Sequence, residues 1–68
     1  KELQERVEKT IQNFPERRQR IFRMHRFEGK KYTEISAELA LSVKTIEAEM
    51  TKALQTLRKE IDLYIHTR

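Results

Sequence analysis

The stretch Ile35 to Met50, ISAELALSVKTIEAEM, decides how the rest of the chain is read. Ile35 and Leu39 fit one short helix. Val43 opens a second, whose apolar positions run on through Ile46, Met50, Ala53, Leu54, Leu57 and Ile61. Thr33 is the expected cap of the first and Ser42 of the second, because a hydroxyl at that position satisfies a free amide of the opening turn. Ala40, Leu41 and Ser42 are left as a tight turn.

Working outward, Leu3, Val7, Ile11 and Phe14 recur at i, i+4, i+8 and i+11, one face of a first helix. That helix should stop near Asn13, since Phe14 precedes Pro15 and is pushed out of the α region. Pro15 suits the first turn of a second helix, with Glu16 complementing its dipole. Arg18, Ile21, His25 and Glu28 mark one side of that helix, flanked by Phe22 and Met24, and Gly29 is the expected left-handed residue that ends it. No period-two alternation suggests a strand. The expected fold is all-α: one small four-helix domain over residues 1–68 that contains a helix-turn-helix, a three-helical core without a wing.

The composition excludes several classes. With 68 residues there is room for one small core, and with no cysteine there is neither a disulfide nor a thiolate metal site. Charged residues make up 38% of the chain, and no apolar run approaches the roughly 20 residues needed to cross a bilayer, so membrane insertion is not expected and a cytoplasmic location is. A helical pattern that starts at Lys1 without an initiator Met points to a piece of a longer chain. His25 and His66 are the only histidines and stand far apart, without a nucleophile, base and orienting group between them. His25 is expected as a partly buried packing residue. No glycine-rich phosphate loop exists, and neither an enzyme nor a cofactor is expected.

A short helix, a three-residue turn and a longer helix describe a helix-turn-helix, in which the second helix is offered to a DNA major groove. Spacing alone fits an ordinary αα-hairpin equally well. The outer face of the fourth helix separates the two readings. At about 100° per residue, the side opposite the apolar stripe collects Lys44, Thr45, Ala48, Lys52, Gln55 and Lys59, with Glu47 and Glu49 on its flanks. Lysines interleaved with small or hydrogen-bonding residues suit phosphates and base edges. Arg26, Lys30 and Lys31, with Tyr32 and Thr33, form a second basic group around the start of the third helix, where free amides also favour anions. The arginines of ERRQR, residues 16–20, are less informative, since they point in different directions around the second helix, and some of them are expected only to solvate it. The net charge of +4 agrees with an acidic partner without requiring one.

From Phe14 to Ile61 the chain resembles region 4 of the bacterial sigma factors, nearest the extracytoplasmic-function group. The resemblance rests on Pro15-Glu16, on Arg26-Phe27-Glu28-Gly29 with Tyr32, and on Ser42-Val43-Lys44-Thr45-Ile46-Glu47 followed by Ala53-Leu54 and Leu57-Arg58. It implies a sigma subunit domain that reads the minus-35 element of promoter duplex DNA through the fourth helix. It also implies contact with the β flap of the RNA polymerase core, and an anti-sigma factor as a further partner. Carried over by position, the base readers would be Ala48, Thr51 and Lys52, with Lys44 and Thr45 near the backbone and Tyr32, Thr33 and Ser42 helping to hold phosphates. Ala40 stands at a turn position where this family usually has Gly, so a positive φ there would cost Ala something. Ser36 replaces a small apolar residue, which is accommodated if its hydroxyl bonds to a carbonyl.

Two other readings share parts of this pattern. A LuxR-type output domain has the same four-helix plan and a similar Lys44-Thr45-Ile46-Glu47 start to its recognition helix, whereas the long fourth helix with KALQTLRKE, residues 52–60, favours sigma. A helical protein-interaction module would use Ile61, Leu63, Tyr64 and Ile65 near the end. Leu63 and Ile65 lie off the main stripe, and core packing is the simpler expectation for them.

Overall fold

The computed structural model describes residues 2–66. Four helices follow one another as α1 Glu2–Gln12, α2 Glu16–Arg26, α3 Tyr32–Leu39 and α4 Val43–His66, with no strand among the described residues. The long α4 is the axis against which the other three pack, and the molecule measures 42 × 19 × 17 Å.

Every helix sends at least one side chain into a single core. Ile11 of α1, Ile21 of α2, Ile35 of α3, and Ile46 and Met50 of α4 are its largest fully enclosed members. Each such side chain stabilises the fold by roughly 1.5–3 kcal/mol, which makes this small set the main source of cohesion. Phe14 and Phe22 meet edge to face at 6.0 Å and close the core near the α1–α2 turn. Ala53 is fully covered, its single methyl group leaving the space its neighbours occupy.

The helix ends follow local chemistry, with two departures from expectation. Pro15 lies one residue earlier than the first helical turn: at φ −52° and ψ 146° it is the N-cap of α2, and its carbonyl accepts the Gln19 amide at 2.9 Å. Thr33 does not cap α3. Lys31 holds that position, and the Glu34 carboxylate three residues on accepts the Lys31 amide at 2.8 Å, so the helix opens on Tyr32. Gly29 has φ +70° and ends the α2 excursion as expected. The inner face of α2 is Ile21, Phe22 and Met24, while Glu28 lies past the helix end and is exposed.

On α4 the covered stripe is narrower than the sequence pattern. Ile46, Met50, Ala53 and Leu57 are buried, yet Leu54 is 47% exposed. Leu63 and Ile65 are exposed as well, which corrects the expectation of core packing. The core ends before the helix does.

Candidate nucleic-acid interface

The turn between α3 and α4 sets how the site is presented. Ala40 has φ 56° and ψ 42°, a left-handed residue outside glycine, and its amide bonds to the Ser36 carbonyl. The Leu41 amide reaches the same carbonyl at 3.1 Å, and the Ser36 hydroxyl donates to the Leu41 carbonyl. The turn is therefore closed from both sides, and Ser36 acts across it instead of back along its own helix. Ser42 then caps α4: its Oγ accepts the Thr45 amide at 3.1 Å and lies 2.9 Å from the Thr45 hydroxyl.

Beyond the cap, α4 turns one side wholly outward. Lys44, Ala48, Thr51, Lys52, Gln55 and Lys59 are exposed, and Thr45 is half-buried at the cap. No acid stands within this strip. Its candidate base readers Ala48, Thr51 and Lys52 share one face at helical spacing, so they project together.

Glu49 explains how one flank is kept from opposing that charge. Although next in sequence to Ala48, it is only 7% exposed. Its Oε2 accepts Arg17 Nε at 2.9 Å and Arg17 Nη2 at 2.7 Å, and its Oε1 accepts Arg18 Nε at 2.8 Å. The hydrogen bond from Arg18, with that from Arg17 and the charge of both guanidiniums, outweighs burial and holds the carboxyl below the usual carboxylate range. Two of the ERRQR arginines, to which the sequence assigns no partner, thus tie α2 to α4. No local signal pairs them, since Glu49 lies 32 and 31 residues from the two arginines.

The second basic group does not stay together. Lys31, the N-cap of α3, and Thr33 in its first turn are both exposed. Tyr32 is half-buried, packed on the core, with its ring 4.8 Å from that of His25. His25 is partly buried as expected and sits with Nδ1 2.9 Å from the Lys30 carbonyl. Lys30 lies in an ion pair with Glu38 at 2.7 Å and with Glu28 at 3.4 Å, and the hydrogen bond it donates to the Glu38 carboxylate holds its ammonium above the usual lysine range. Arg26 borders a different feature, an apolar groove of about 470 Å³ between α1, α2 and α4 that also takes in Phe27, Leu54, Leu57, Arg58 and Ile61.

A helix-turn-helix whose second helix carries an outward basic strip defines a DNA-binding domain of the transcription apparatus once its family is known. The chain belongs to the family described as Sigma-70, region 4, whose model matches residues 4–57. The match includes most of α1 as well as the helix-turn-helix. Members of this family bind promoter DNA and the RNA polymerase core in transcription initiation, and the family is one of DNA-binding domains, not of enzymes. No curated protein and no solved structure gives a significant match. Among the described residues, no helix is long and apolar enough to cross a membrane.

Proposed function

We propose that this domain reads the minus-35 promoter element for a cytoplasmic sigma factor of the extracytoplasmic-function type, as a single DNA-binding unit of a longer protein. The acid-free strip of α4, presented by the Ser42 cap and with Glu49 drawn off to α2, carries this reading. Ala48 meets a thymine methyl, Thr51 offers a hydroxyl and a methyl, and Lys52 donates to guanine acceptors. Lys44, Thr45 and Ser42 at the start of α4, and Lys31, Tyr32 and Thr33 at the start of α3, hold the sugar-phosphate backbone. Lys30 and Arg26 belong to the same anchoring set, Lys30 by exchanging Glu38 for a phosphate. The groove beside Arg26 takes the β flap of the polymerase.

A binding selection over randomised minus-35 sequences tests the division between readers and anchors. Lys52→Ala should cost roughly 1–3 kcal/mol on the preferred site and relax the preference at one or two base pairs. Lys31→Ala should weaken all sequences alike and make the salt slope shallower by about one unit. If Lys52→Ala lowers affinity uniformly and leaves the selected sequence intact, Lys52 is an anchor. If neither substitution alters binding, α4 is not a recognition helix.

A further inference from the structure

The Glu49 ion pair joins two arginines of α2 to the helix that carries the reading strip, and the two arginines are not equivalent. The Arg18 side chain is 20% exposed and the Arg17 side chain 56%, so one guanidinium is set inward and the other faces solvent. Both of the Arg17 bonds go to a single oxygen, Oε2, while Oε1 is held by Arg18. Along α4, Glu49 follows Ala48 and lies one turn from both Thr45 and Lys52. The exposed Arg20, one turn further along α2, borders a shallow hollow with Glu16, Arg17, Leu39 and Leu41, next to the α3–α4 turn. Arg17 and Arg20 are thus exposed guanidiniums on α2 near the α3–α4 turn, and Arg17 reaches the flank of the strip through Glu49.

A carboxylate and a phosphate present the same kind of paired oxygens to an arginine fork. We propose that Arg17 is a DNA-backbone contact, and that in the free protein Glu49 occupies it in place of a phosphate. On binding, the outer guanidinium turns to the phosphate, while Arg18 keeps the carboxylate covered and its charge offset. This rests on the reading of α4 as a DNA-recognition helix, and it makes Glu49 a brake on non-specific binding.

The test measures binding of random-sequence duplex at several salt concentrations for wild type, Glu49→Gln, Arg17→Gln and the double variant, with folding checked by circular dichroism. Glu49→Gln should bind all sequences more tightly, by about two- to fivefold, the worth of one half-exposed ion pair. Arg17→Gln should bind more weakly and shallow the salt slope by about one unit, and should do so in the Glu49→Gln background too. An unchanged slope for Arg17→Gln in both backgrounds, or no gain for Glu49→Gln, overturns the proposal while wild-type binding leaves the DNA reading in place. Should Glu49→Gln fail to fold, Arg17→Gln alone decides, since its side chain is largely solvent-exposed. Absence of salt-dependent binding by wild type removes both the reading and the proposal.

Discussion

Ala40 is the residue at which the chain departs furthest from easy backbone chemistry. A left-handed conformation costs an L residue with a Cβ roughly 1–2 kcal/mol, and glycine escapes that cost while losing more freedom on folding. Ala40→Gly should therefore stabilise the domain by up to about 1 kcal/mol, a rise in melting temperature of roughly 4–8 °C for a chain of this size. Thermal melts of the two proteins check it, and a fall in melting temperature would show that the turn is right-handed in solution. Ser36 and the Leu41 amide hold Ala40 in place, so the gain should come without a change in DNA preference.

At the scale of helices, the carboxylate of Glu49 makes the α2–α4 contact sensitive to acid. Its folded-state pKa lies below the unfolded value, chiefly through the hydrogen bond from Arg18. The contribution is therefore complete above the unfolded carboxylate range and is lost as pH falls through the depressed folded value. Glu49→Gln should lower stability at neutral pH by about 1–3 kcal/mol, and the gap from wild type should close in strong acid. Melts of both proteins from neutral pH down to about pH 2 measure this, spanning the ordinary carboxylate range and below it. A gap of constant size would mean that the ion pair contributes nothing beyond shape.

What was legible in the sequence follows the same local logic. The four helices, the Ser42 cap and the left-handed Gly29 were readable because periodicity and capping act within a few residues. The start of α3 was not: a hydroxyl cap at Thr33 is the local expectation, whereas the cap is Lys31, its amide held by the Glu34 carboxylate. The partnership of Glu49 with Arg17 and Arg18 was not readable, since it spans 32 and 31 residues and depends on how α2 lies across α4. The same unknown packing decides that Leu57 is covered and Leu54 is not.

For the whole molecule, the α1–α2–α4 groove and the α4 strip are two surfaces with different chemistry. Phe27 is 60% exposed at the groove edge, with the cations of Arg26 and Arg58 beside it. Leu54→Asp places a charge in that groove without touching the buried stripe. It should weaken capture of the RNA polymerase core about tenfold or more, while DNA binding by the isolated domain changes little, as expected for loss of an apolar anchor at an interface. A pull-down with core enzyme beside a DNA titration separates the two effects, and equal loss in both would point to a general folding defect.

One consequence follows from α4 being a single unbroken rod of 24 residues. The strip centres near Met50 in height and the groove near Arg58, so the two surfaces are offset by about 12 Å along the axis and roughly a third of a turn around it. No loop intervenes between them. Whatever is gripped on one side is held in fixed phase with whatever is seated on the other, as two teeth are on one shaft, and a turn of the rod at either end is a turn at both.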